Sequence, residues 1–222
     1  MSEGSDDWLS HVRERFRGQL RRADALVNAA AVKSASDTAE FVSAESPESD
    51  ILRAAVVLLH AALEDLVRSI QRQRLPYASV DVLNHIEVPM PHGAPKGKVG
   101  LGVFAEQFRG LTVSEAVQVC VDQHLERATF NNPDDLARGL REVGVDEPAS
   151  LLGDDAGQIK LLTARRHRIA HRADDDSTAR SPAATTRLIA LSTVVEWSDA
   201  VRRVGERIVT AVHDLEKASD DD

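Results

Sequence analysis

Apolar residues recur at steps of three and four along most of the chain and nowhere sustain an alternation of period two. That spacing predicts helices, and the expected fold is an all-α bundle without internal repeats. Residues 8–30 set Trp8, Leu9, Val12, Phe16, Leu20, Ala23, Leu26 and Val27 along a first helix, with Arg13, Arg17, Arg21 and Arg22 interleaved as a solvated face. From Ala31 to Asp50 the pattern weakens and serines gather, so a fraying end and a loop are expected. Ser46-Pro47 then offers an N-cap with proline in the first turn. The helix it opens, about 48–74, is apolar round much of its circumference and is expected to be the central core helix. Its polar stripe, Arg53, His60, Glu64 and Arg68, recurs at seven, four and four residues and so shares one side. Two readings stand: a solvent-facing stripe with Glu64–Arg68 pairing, or a Glu64 that faces a later cationic segment and orients a side chain there.

Leu75 to Gly102 is rich in Pro and Gly and is expected to be largely irregular, with one short helical or extended piece between Tyr77 and Val88. Short capped helices follow. Thr112 with Glu115 has the form of a capping box and opens a helix to about Arg127. Asn132-Pro133 opens another to about 143, with Gly144 placed to end it in a left-handed cap. Asp155 with Gln158 has the form of a further N-cap pair, leading a helix to about Arg172, where Asp174, Asp175 and Asp176 oppose the negative end of the helix dipole. Ser181-Pro182 is expected to start the last helix, whose buried stripe runs from Leu188 to Leu215, and 218–222 to form a disordered tail. The organisation expected is a single domain over 1–222, with a core of about 48–74 and 155–216 and an insert of about 75–154.

Composition narrows function more than fold. No run of about 18 apolar residues occurs, and the first residues are polar and acidic, so a cytoplasmic protein with no membrane association is expected. The single cysteine, Cys120, excludes an internal disulfide framework and a multi-cysteine zinc site, and reads as a small buried apolar residue. A net charge of -9 argues against a general nucleic-acid coat protein.

Against that acidic background, residues 159–172 carry Lys160, Arg165, Arg166, Arg168 and Arg172 with His167 and His171, and no carboxylate. Such a patch can hold phosphates locally even where the field of the whole molecule repels them. An imidazole relays protons near neutral pH, and an arginine stays charged and can take two phosphate oxygens. The set suits attack by an RNA 2′-OH on the adjacent phosphorus, with no metal or other cofactor. Helix geometry complicates it, because five residues leave Arg166 and His171 about 140° apart around a straight axis. Either the helix unwinds near Ala170, or a second subunit completes the site.

Other readings of these residues differ in weight. His167 and His171 have the i, i+4 spacing of helical zinc pairs, but the flanking arginines repel a cation and no third ligand is evident. A structural cluster, with arginines capping helix ends and paired to Asp174, Asp175 and Asp176, stays open. Lys96-Gly97-Lys98 lacks the spacing of a P-loop, and no elbow motif surrounds a serine or cysteine.

Arg166-His167-Arg168-Ile169-Ala170-His171 resembles the R-x4-6-H motif of the HEPN domain family, in which the residue after the arginine is often Asn, His or Asp. The long apolar helix carrying Leu63-Glu64 and the long closing helix also look like that family; the likeness spans about 48–216, and the insert matches it loosely. The resemblance implies a HEPN-like helical bundle. Many members of the family are metal-independent endoribonucleases, several acting as toxins or in defence, while others are non-catalytic interaction modules. It implies that Arg166 and His171 are catalytic, with Glu64, or else Asp65, as the polar residue of the core helix. Lys160, Arg165, His167, Arg168 and Arg172 are the expected RNA-binding residues around them. The partners implied are RNA, a second copy across a shared cleft, held in part by the apolar face of residues 51–70, and a cognate antitoxin or other neutralising protein. The alternative is a HEPN-like module that binds a partner protein or nucleotide without catalysis, and the third is an unrelated helical interaction domain.

Overall fold

The structure, a computed structural model, describes residues 5–34, 46–89, 100–172, 174 and 187–220. Every regular element among them is helical, as the spacing predicts. In chain order these are α1 (Ser5–Ser34), α2 (Pro47–Arg74), α3 (Val80–Leu83), α4 (Leu101–Gln107), α5 (Val113–Arg127), α6 (Pro133–Glu142), α7 (Pro148–Leu152), α8 (Ala156–Arg172) and α9 (Leu191–Asp220). Short 3-10 turns follow α2 and α7. Among the described residues no helix is long and apolar enough to cross a membrane.

Local capping chemistry sets several of these boundaries. The Ser46 hydroxyl accepts the Ser49 N–H at 3.2 Å with Pro47 in the first turn of α2. The Thr112 box is closed both ways: its hydroxyl accepts the Glu115 N–H at 3.3 Å, and its own N–H donates to the Glu115 carboxylate at 2.7 Å. Asn132 accepts the Asp135 N–H at 2.8 Å to start α6, and Gly144, at φ 91, follows its end.

The structure departs from local expectation at three places. Asp155 does not cap α8; its carboxylate is buried and takes Arg203 at 2.6 Å and Arg207 at 2.7 Å, two cations of α9 that lower its pKa from the usual carboxylate value. Residues 187–190 are extended, so α9 begins at Leu191. The Ser181-Pro182 start lies outside the described residues. At the far end α9 continues to Asp220, so most of the expected tail is helical.

Cross-links fix the directions of the long helices. Lys33 meets Glu48 while Arg15 meets Asp65, so α1 and α2 are antiparallel. Arg13 and Arg17 both reach Glu206, and Asp24 accepts from Ser198 and Arg202, so α1 is antiparallel to α9 as well. Arginines expected on a solvated face thus tie α1 to its neighbours. Between these helices lies the core: Phe16, Leu20, Leu52, Leu59, Leu66, Ile70, Leu125, Leu140, Ile159, Leu162 and Ile208 are all fully buried. The apolar face of residues 51–70, expected to hold a second copy, is largely spent here: Leu52, Val56, Leu59, Leu63, Leu66 and Val67 are buried within this chain. Cys120 is buried against Phe108 and Ala116, which pushes its thiol pKa up.

The α1–α9 contact depends on Gly205. A Cβ built there stands 2.2 Å from the ring of Phe16, which is 1% exposed. Gly205→Ala is therefore expected to cost about 1–3 kcal/mol through overpacking, more than the ~1 kcal/mol that alanine gains over glycine in a helix. A lower urea midpoint at unchanged slope checks this; an unchanged or higher midpoint shows that the ring yields freely.

Candidate functional site

α8 is an unbroken helix through Ala170 to Arg172, so the unwinding that would have brought Arg166 and His171 together in one chain does not occur. Its seventeen residues sort by face. Ile159, Leu162 and Thr163 are buried in the bundle. Lys160, Ala164, His167 and His171, spaced four, three and four, form an exposed stripe. On it the His167 and His171 rings lie 4.5 Å apart between centroids, tilted by 46°. The Arg172 side chain lies outside the described residues.

Arg166 leaves the helix on another side, toward α2. It is half-buried and makes no hydrogen bond or ion pair with a described residue, and its charge is felt by His60. His60 is 4% exposed and its Nε2 lies 3.2 Å from the carbonyl oxygen of Phe130, so Nε2 carries the proton of the neutral ring. Its Nδ1 stands 3.7 Å from a carboxylate oxygen of Glu64, whose other oxygen accepts from Arg68 at 2.9 Å. Arg68 in turn donates to the carbonyl of Ala128 and lies over the Phe130 ring, 5.6 Å from its centroid. The α2 stripe therefore faces inward at Arg53 and His60 and is half-buried at Glu64 and Arg68, which overturns the solvent-facing reading while keeping its Glu64–Arg68 pair.

Burial holds the His60 pKa below the usual histidine range; the Arg166 charge adds to this, while the Glu64 carboxylate and the bond to Phe130 oppose it. A depressed histidine stays neutral in the fold while the unfolded chain takes up a proton, so stability is full above pH ~6.5 and falls as pH drops below that value. Urea midpoints are expected to decline on going below pH ~6.5, and His60→Gln to remove that part of the decline. A pH profile identical in wild type and variant refutes the assignment.

Arg165 departs from expectation. Instead of joining the exposed cationic patch expected of it, it is 6% exposed, and its guanidinium donates to the Asp174 carboxylate at 2.5 Å and to the Arg187 carbonyl at 2.8 Å. Arg53 of α2, 8% exposed, donates to the same carboxylate oxygen at 2.9 Å. Asp174 is fully buried, so the three form an enclosed Arg–Asp–Arg triad, and the structural-cluster reading applies to Arg165. Burial lowers the Arg165 pKa from the usual arginine range, and the Asp174 charge opposes the shift. The main chain joins in: Asp174, at φ 60, donates its N–H to the Arg168 carbonyl and accepts from the Arg187 N–H. Arg168 is half-buried on this same side of α8 and lines a cavity with Arg165 and Arg187.

The structure thus brings Arg166, His60, Glu64 and Arg68 into one half-buried group, sets His167 and His171 as an exposed pair, and takes Arg165 into the interior. His60, Asp174 and Arg187 are the additions. His60 was visible as part of the α2 stripe, and Asp174 as part of the acidic run; no sequence signal marks Arg187. Among the described residues no cluster of three His, Cys, Asp or Glu side chains offers a metal site. No protein-family model, curated protein or solved structure matches the chain.

Proposed function

We propose that the protein is a metal-independent endoribonuclease of the HEPN type, active as a twofold dimer. The observation that supports this most is the exposed face of α8, where two imidazoles lie 4.5 Å apart on a helix that carries five cations and no carboxylate. His171 is the proton relay and Arg166 the phosphate-binding cation. A base removes the 2′-OH proton as the O2′–P bond forms, the P–O5′ bond breaks, and a proton passes to O5′. The products are a 2′,3′-cyclic phosphate and a 5′-hydroxyl. Because α8 is unbroken, Arg166 and His171 of one chain remain about 140° apart; a second copy across a twofold axis supplies the missing partner of each. With the 51–70 face spent in the core, Leu161 and Leu188, 57% and 54% exposed near α8, are the apolar residues available to that contact.

The test is incubation of purified protein with total RNA in EDTA, with end-group analysis of the products and light scattering of the same sample. Cyclic phosphate ends from a dimer support the reading. Activity lost in EDTA and restored by Mg²⁺, ends bearing 3′-hydroxyls, or an active monomer at micromolar concentration each refute a stated part of it.

A further inference from the structure

The exposed stripe of α8 sets two imidazoles one helical turn apart. His167 and His171 are both exposed, with ring centroids 4.5 Å apart and planes tilted by 46°. Among the chain's eight histidines only these two stand four residues apart, the spacing at which two imidazoles on one helix face reach a common metal ion. The separation suits that role. A ring centre stands about 3.2 Å from an ion bound to its nitrogen at about 2.0–2.1 Å, so two ligands at about 90° have centroids roughly 4.5 Å apart, while a tetrahedral pair needs about 5.2 Å. The sequence sets arginines against a cation here, but the fold moves them off the stripe. Arg165 is enclosed against Asp174, Arg166 turns toward α2, and Arg168 lines a cavity with Arg165 and Arg187. Arg166 and Arg168 thus leave the helix about 100° to either side of His167. His171 also lies in the last turn of α8, where the negative end of the helix dipole favours a cation.

We propose that His167 and His171 form a binding site for a divalent transition-metal ion, Cu²⁺ ahead of Zn²⁺, and that an ion held there shuts off the cleavage proposed above. The second half rests on that reading; the first does not. Imidazole is a ligand for copper, nickel and zinc, whereas Mg²⁺ and Ca²⁺ take oxygen. An angle of about 90° and the order of divalent affinities both put Cu²⁺ first. Two imidazoles are half of a structural zinc set, and water completes the shell. Half the logarithmic affinity of such a set gives a Kd on the order of 1–100 μM, so the ion exchanges and its occupancy follows its concentration. Coordination takes the lone pair with which a neutral His171 accepts the 2′-OH proton. The ion thus occupies the relay itself, and a chelator, under which the proposed cleavage proceeds, restores it.

The full chain, free of any affinity tag, is titrated calorimetrically with Zn²⁺, with Cu²⁺ supplied as its glycine complex, and with Mg²⁺. The expected result is a single ion of Zn²⁺ or Cu²⁺ per chain, Cu²⁺ about tenfold tighter or more, and no binding of Mg²⁺. Electron paramagnetic resonance of the Cu²⁺ form should give an axial spectrum with nitrogen hyperfine structure. Zn²⁺ has no redox chemistry, so it checks the site without oxidising Cys120. His167→Gln and His171→Gln are each expected to weaken both ions about tenfold or more, since one ligand of the pair is lost. His85→Gln, at an exposed histidine after α3, should leave binding unchanged. In the RNA assay without chelator, Zn²⁺ is expected to inhibit the wild type over the concentrations at which it binds. His167→Gln, compared with its own metal-free rate, should need about tenfold more. No binding of either ion below millimolar concentration, or equal affinities in wild type and both stripe variants, overturns the site. Inhibition of His167→Gln at the wild-type concentration overturns the block. Binding at the pair by a protein that cleaves no RNA upholds the site and removes the block together with the nuclease reading.

Discussion

His171→Ala is expected to lower the rate of RNA cleavage in EDTA by about 10²–10⁴-fold, the usual worth of a positioned acid-base group, and to leave the melting temperature nearly unchanged. The second half follows from placement: His171 is exposed and lies against the exposed ring of His167. Arg166→Ala is expected to lose a comparable factor through the charge it places on the phosphate. It too should fold, since Arg166 makes no hydrogen bond to a described residue. It has an independent signature, because the Arg166 charge helps depress the His60 pKa. Without it His60 protonates more readily in the fold, and the loss of stability below pH ~6.5 becomes shallower. Lys160→Ala, on the same exposed stripe, should weaken RNA binding while leaving single-turnover cleavage at saturation intact. Equal, mild losses from all three substitutions leave electrostatic adhesion as the account and remove catalysis from α8.

Asp174→Ala is expected to cost about 3–5 kcal/mol, because it leaves two buried guanidinium groups facing each other without their counter-ion. For a chain of this size that lowers the melting temperature by roughly 10 °C. Asp174→Asn separates charge from shape: asparagine tolerates the left-handed backbone at φ 60 and keeps the side-chain outline, so a large loss there belongs to the charge. Arg165→Ala should behave like a folding variant and not, as its place in the cationic run implies, like a weakened RNA binder. A stable Arg165→Ala protein with impaired RNA binding shows that the triad opens in solution.

These outcomes mark where the sequence was a sufficient guide. Helix type came from apolar spacing, and the starts of α2, α5 and α6 from caps whose donor and acceptor are three residues apart: Ser46 with Ser49, Thr112 with Glu115, Asn132 with Asp135. An interaction that short is complete before the chain folds back, so the residues alone determine it. The end of α8 near Arg172 was also expected from the residues, but whether the helix unwinds near Ala170 was left open by them and is decided by the structure, where it is continuous.

What the tertiary structure decided was the partner of each charge. Asp155 looked like a cap and instead takes Arg203 and Arg207 from a helix 48 and 52 residues away. The α2 stripe looked solvated by its spacing, yet Arg53 finds Asp174 across 121 residues and His60 finds the carbonyl of Phe130 across 70. Arg165 and Arg166 are neighbours of the same type with opposite fates, one locked in an ion triad and one turned to α2, because successive residues on a helix point about 100° apart. Spacing determines that angle, but only the packed positions of α2 and α9 determine what stands at the end of it.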